Sequence, residues 1–177
     1  MPKVIENLRT SILEEAKTEL AEQGYDNLTI RQIAARCNIA VGTVYNYFKS
    51  KDVILGAILG EDWHNVLSDM DSSISKSTSV HEGLCIVASG LEGFCERYRR
   101  LWSEYRKTDS SQYYSQNGHQ MLLHALVTRV EDILKLNGKL VEEGLCEMIS
   151  ETMVSLATHG KHYIDRANII ERMISDR

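Results

Sequence analysis

The chain has 177 residues, 43% apolar and 25% charged, enough for one medium domain or a small domain fused to a larger one, and too apolar to be disordered. No apolar run approaches the ~18–20 uncharged residues that cross a bilayer, and the first residues lead straight into charged, helix-like sequence. Neither a membrane span nor a signal peptide is expected, the cytoplasm is the default location, and the net charge of −5 argues, as an average, against a polyanionic partner.

That average conceals an asymmetry. Residues 1–60 carry seven Lys/Arg against seven Asp/Glu, whereas residues 61–177 carry thirteen against eighteen. Between Asn27 and Lys51 lie four cations (Arg31, Arg36, Lys49, Lys51) and no acid. Charge alone leaves this stretch equally an anion-binding surface or a solvated basic face. Cys37, Cys85, Cys95 and Cys146 show no CxxC or paired spacing. They read as buried thiols rather than a disulfide framework or zinc site, with a redox-sensing cysteine as the lesser alternative.

Apolar residues recur at spacings of three and four almost throughout, and the only proline is Pro2. Leu8, Ile12, Ala16 and Leu20 predict a first helix from Glu6 to Gln23, stopped by Gly24. Thr29 caps a short helix holding Ile30, Ile33 and Ala34; Asn38-Ile39-Ala40 breaks it, and Val41–Phe48 forms a third. Ser50 caps a fourth that runs through Met70, followed by a Ser/Thr-rich loop over 71–79. A long helix with a kink is expected from Val80 to Tyr105, a loop or frayed helix over 108–118, and a helix through Leu122, Leu126, Val130 and Ile133 that stops at Asn137-Gly138. Val141, Leu145, Ile149, Thr152 and Leu156 mark another, ending near Gly160, and Ile169, Met173 and Ile174 the last. The fold class is all-α with about nine helices: an amino-terminal three-helix unit (1–52) and a larger helical domain (53–177).

Three short helices with a three- or four-residue turn between the second and third are the parts of a helix-turn-helix. Packing Ile30, Ile33, Ala34, Ile39, Val44 and Phe48 inward turns Arg31, Val41, Gly42, Thr43, Tyr45, Asn46 and Tyr47 outward. Gly42 permits close approach to a duplex. Arg31 and Asn46 offer base-edge hydrogen bonds, Val41 and Tyr45 apolar contact to thymine methyls, and Thr29, Thr43 and Tyr47 hydroxyls for phosphates. Lys49 and Lys51, entering the fourth helix, favour a phosphate as well. Double-stranded DNA is the partner this set implies, with Arg31, Val41, Gly42, Tyr45 and Asn46 facing bases.

The run Leu28-Thr29-Ile30-Arg31-Gln32-Ile33-Ala34 and the core Gly42-Thr43-Val44-Tyr45-Asn46-Tyr47-Phe48-Lys49-Ser50-Lys51 resemble the DNA-binding domain of the TetR family of bacterial transcriptional regulators, over about residues 8–60. Where many relatives carry a Ser cap and then a basic or polar residue, this chain has Ala40-Val41. The resemblance implies a homodimer of helical subunits, a carboxy-terminal part that binds a small-molecule effector, and repression released when the effector changes the separation of the two reading heads. It also implies that the last two long helices form the dimer interface. The stripes Val141/Leu145/Ile149/Thr152/Leu156 and Ile169/Met173 suit helix pairing, although such stripes also face a subunit's own core.

The aromatic residues Trp63, Phe94, Tyr98, Trp102, Tyr105 and Tyr113 are candidates for lining an effector pocket, or else ordinary core. Six histidines show no spacing suited to a metal, and no catalytic motif appears, so neither a metal, a bound cofactor nor enzymatic activity is expected. The competing reading is a helical ligand-binding or protein-interaction module without operator binding.

Overall fold

The computed structural model describes residues 7–105 and 111–175. Among the described residues nine α-helices occur: α1 (Leu8–Gln23), α2 (Ile30–Arg36), α3 (Val41–Tyr47), α4 (Lys51–Ile74), α5 (Val80–Arg97), α6 (Arg99–Tyr105), α7 (Ser111–Leu136), α8 (Glu143–Thr158) and α9 (Ala167–Ser175). A 3-10 turn, Tyr163–Asp165, precedes α9. No described helix is long and apolar enough to cross a membrane.

The helix boundaries follow local chemistry. Gly24 ends α1 at φ 76°, a value L side chains seldom adopt, and its N–H closes on the Leu20 carbonyl. Ser79 opens α5 by accepting from the Glu82 N–H, while the Glu82 carboxylate accepts from the Thr78 N–H at 2.7 Å. Those Thr78 hydrogen bonds hold the Glu82 carboxyl below its ordinary range. The expected loop at 71–79 is shorter than predicted, because Ile74 is buried and keeps the last turn of α4 helical. The polar stretch expected as loop or frayed helix is helical from Ser111 onward as the start of α7. The single helix expected from Val80 to Tyr105 is instead two, α5 and α6, which break at Tyr98.

The chain divides into two compact units, Met1–Trp63 and His64–Arg177. The sequence division fell at 52/53. The first half of α4 instead adds Ile54 and Ile58 to a core made with Ile12, Leu13, Ala16, Leu28, Ile33, Ala34, Val44 and Phe48. Burying such side chains stabilises a small unit by roughly 1.5–3 kcal/mol each. Polar ties lock α1 to α4 within the same unit: Lys17 pairs with Asp62 at 2.9 Å and Glu61 at 3.5 Å, and Arg9 with Glu61 at 3.5 Å.

In the second unit α5 packs against α7 and α8, which pack on each other. Leu84, Val87, Leu91, Leu126, Val130, Ile133, Cys146, Ile149 and Met153 are buried there. Gly83 lets α5 lie close to α7: a Cβ at this position would stand 2.8 Å from the Ile133 Cγ2.

Candidate nucleic-acid interface

Thr29 begins α2 as an extended residue whose Oγ1 accepts from the Gln32 N–H at 3.3 Å. Asn38 turns the chain at φ 53°, the left-handed region that Asn tolerates better than most residues. The Ile39 N–H then returns to the Ala34 carbonyl at 3.0 Å, which closes the turn before α3. Ile33, Ala34, Val44 and Phe48 anchor both helices in the core, and Ile30, Ile39 and Val41 pack at its edge.

This packing sorts the predicted residues. Arg31, Gly42, Tyr45, Asn46, Tyr47, Lys49 and Thr29 are exposed on one pair of short helices. Tyr45 and Tyr47 are each 46% exposed, a large apolar area for a seven-residue helix to leave in water. A Cβ added at Gly42 would meet open space, so no packing among the described residues demands glycine there. Val41 and Thr43 are half-buried, and Val41 leans on the core, which narrows what it offers a base to part of one side chain. Ala40 supplies no side-chain cap to α3, as its methyl group dictates.

The cations differ in what already holds them. Lys49 Nζ donates to the Tyr45 carbonyl one turn back at 3.3 Å and is otherwise exposed. Lys51 Nζ donates to the Tyr25 carbonyl at 3.2 Å and stands 4.2 Å from the Tyr25 ring centre. The Tyr25 hydroxyl in turn donates to the Asp52 carboxylate. Lys51 is thus held at a fixed place with two ammonium hydrogens to spare. Arg31 makes no ion pair among the described residues.

Arg36 leaves the cationic set. Its guanidinium pairs with Glu19 and Glu22 and lies 3.8 Å from Glu15, all on α1. Burial draws the guanidinium's proton affinity down, but the Glu19 and Glu22 charges outweigh it and hold it above its ordinary value. Glu19 is only 4% exposed, so Arg36 supplies the partner that an interior carboxylate requires. The i, i+4, i+7 spacing of Glu15, Glu19 and Glu22 was the available signal for this, since it puts three acids along one side of α1.

The remaining predicted residues are less united. Trp63 is buried in the first unit, and Phe94 and Tyr98 form a tilted pair at 5.1 Å in the second. Phe94 lines a groove of about 300 Å³ between the second half of α4 and α5, with Val66, Asp69, Met70, Ile86 and Arg97. The expectations for the side chains of Trp102, Tyr105, Tyr113 and Met173 lie outside the described residues. Of the stripe on α8, Leu145 and Ile149 face the unit's own core, because α5 and α7 cover that side. Val141, Thr152 and Leu156 are half-buried, and Ile169 on α9 is 63% exposed. Met148, one turn from Thr152, is exposed and was missed, because the stripe had been drawn through the buried side of α8.

Comparison with known proteins bears on the first unit most directly. Residues 12–58 match the model of bacterial regulatory proteins of the tetR family. The fatty acid metabolism regulator protein of Bacillus subtilis (strain 168) is 32% identical over 78 residues, covering 44% of this chain and 40% of that protein. The transcriptional regulator HbdR of Aromatoleum sp. (strain CIB) is 34% identical over 84 residues, covering 48% and 37%. The matched stretch thus spans about two fifths of the length of these curated relatives. The fold extends further: the chain superposes on FadR from Bacillus subtilis, solved with stearoyl-CoA, with a TM-score of 0.62 at 19% identity, covering 94% of this chain and 97% of that one. RolR, solved with resorcinol, gives a TM-score of 0.64 at 20% identity, covering 94% and 86%.

Proposed function

Because the chain belongs to the TetR family of bacterial regulatory proteins, we propose that it is a sequence-specific DNA-binding regulator of transcription, acting as a homodimer on a pseudo-palindromic operator and released by a small-molecule effector. The observation that carries this reading is the exposed face of α2 and α3. It places two half-exposed tyrosines, an amide and an arginine with no ion pair among the described residues on two short helices whose other sides are fixed in a core, with Lys49 just beyond the second. A face of hydroxyl, amide and ring edges with no exposed acid matches a major groove, whose base edges present donors, acceptors and methyl groups between two lines of phosphate.

In this reading Arg31, Gly42, Tyr45 and Asn46 meet bases, with Val41 adding a methyl contact. Thr29, Thr43, Tyr47, Lys49 and Lys51 hold phosphates, Lys51 at the place Tyr25 sets for it. Residues 1–52 carry recognition and residues 53–177 carry effector binding and dimerisation. The exposed or half-buried residues Met148, Thr152 and Leu156 on α8 are the part of the predicted stripe left for a second subunit. The groove lined by Phe94 and Met70 supports a small apolar effector, and the ligands of the FadR and RolR structures, stearoyl-CoA and resorcinol, support a small molecule as the class.

The test is selection of bound sequences from random duplexes with the full chain, followed by titration of the winner at two salt concentrations. Enrichment of a two-fold related motif with half-sites one helical turn apart is expected. Recovery of no motif over random competitor overturns the reading.

A further inference from the structure

One cluster in the second unit lies outside the recognition face and the groove. His81 and Cys85 stand one turn apart on α5, and Glu171 reaches them from α9. The His81 Nδ1 lies 2.6 Å from Glu171 Oε1, and the His81 Nε2 lies 3.7 Å from Cys85 Sγ. A carboxylate on Nδ1 selects the tautomer with hydrogen at Nδ1, so Nε2 presents its lone pair to the thiol. Both ring nitrogens are engaged on opposite sides, and the three donors do not converge as a metal ligand set would. Cys85 and His81 are both accessible from solvent.

A second observation points to an incoming group. The Tyr163 side chain is 1% exposed, and its hydroxyl is buried without a hydrogen-bond partner. The 3-10 turn that carries Tyr163 packs on both α5 and α9, the two helices that hold the cluster, and burial there pushes the phenol well above its ordinary range. A buried O–H donor without an acceptor is costly unless something accepts from it. Burial first, then Glu171 and Glu92, also raise the Cys85 thiol, so at neutral pH it keeps its proton and needs a base to lose it.

We propose that Cys85 is a covalent modification site for small, uncharged α,β-unsaturated carbonyl compounds, with His81 as its base, Glu171 as the residue that orients His81, and the Tyr163 hydroxyl as the donor to the carbonyl oxygen. The sulfur bonds to the β-carbon as the S–H proton passes to His81 Nε2. The alkene pair moves toward the carbonyl oxygen as an enolate, which Tyr163 stabilises. The imidazolium then returns its proton to the α-carbon. The product is a thioether, and no oxidant or reductant is consumed. The nearby carboxylates Glu171 and Glu92 disfavour anionic reagents and so select a neutral one. The site stands or falls independently of DNA binding, because its readout is the adduct.

The experiment treats the full chain with 2-cyclohexen-1-one and maps adducts by peptide mass spectrometry. Cys37, also half-buried but facing the Ser11 carbonyl, is the internal reference. Cys85 is expected to react at least about tenfold faster than Cys37, a modest share of what a positioned base supplies, and to lose most of that advantage in His81→Gln. Glu171→Gln should lower the Cys85 rate and change its dependence on pH while leaving that of Cys37 as it was. Tyr163→Phe should slow the enone but leave iodoacetamide, which has no conjugated carbonyl to be stabilised, unchanged. His81 is surface-exposed, so its variant folds even if the Tyr163 variant does not. Equal rates at Cys85 and Cys37, or an unchanged ratio in His81→Gln, overturns the proposal. So does faster oxidation of Cys85 by hydrogen peroxide with no preference for the enone.

Discussion

Lys49 and Arg36 both sit in the acid-free stretch, yet Lys49 is exposed and Arg36 is paired with acids of α1, and salt dependence separates the roles proposed from that difference. Each cation set against a phosphate releases condensed counterions, so log K falls against log salt with a slope of about −0.9 per contact. Lys49 is exposed and its single recorded hydrogen bond goes to a carbonyl of its own turn. Lys49→Ala should therefore make the slope shallower by about 0.9 per protomer, or ~1.8 for a bound dimer. Between 50 and 200 mM salt the native affinity then falls about twelvefold more steeply than that of the variant, since a fourfold change raised to the power ~1.8 is roughly twelve. Arg36 is occupied by Glu15, Glu19 and Glu22, so Arg36→Ala should lower the melting temperature of the first unit and leave the slope unchanged. Fluorescence anisotropy with a labelled duplex across five salt concentrations reads both quantities. A slope that shallows equally in the two variants, or in neither, refutes the assignment.

Gly42→Ala meets open space and should leave the fold intact, with a gain of up to about 1 kcal/mol from helix propensity, while weakening DNA binding; thermal melting and anisotropy together check it. Gly83→Ala should cost about 1–3 kcal/mol through overpacking against Ile133, more than the helix gain returns, as urea titration would show. Thr29→Ala removes the α2 cap and should cost about 1 kcal/mol in the same assay. The His162 imidazole donates to Glu92 at 2.7 Å, and this hydrogen bond and the Glu92 charge raise its affinity for a proton. A raised folded value means that the tie is fully present below the ordinary histidine range and is lost as pH rises through the folded value. The protection of amides in the 162–171 segment, with the intrinsic base-catalysed rate divided out, should accordingly fall from pH 6 to 8, and His162→Gln should abolish that fall.

The short-range features were legible because their causes are local. The Thr29 cap, the Asn38 turn and the 3.6-residue periodicity of α1 each depend on neighbours within one or two turns. The pairing of Arg36 was not legible because its partners lie 14 to 21 positions away, and a cation tally cannot tell a paired guanidinium from a free one. The covering of Leu145 and Ile149 by α5 and α7 was not legible for a related reason: a helical stripe states that one side is apolar, not which neighbour covers it. The Cys85 cluster escaped notice because Glu171 and Tyr163 come from the far end of the chain.

In the proposed complex, with Arg36 turned inward, Arg31, Lys49 and Lys51 remain as cations beside a larger set of neutral hydroxyl, amide and ring groups. A head so composed would gain less from arbitrary stretches of chromosome than one with all four cations free. Few copies per cell would be sequestered on irrelevant sites, and occupancy of the correct one would track protein abundance closely.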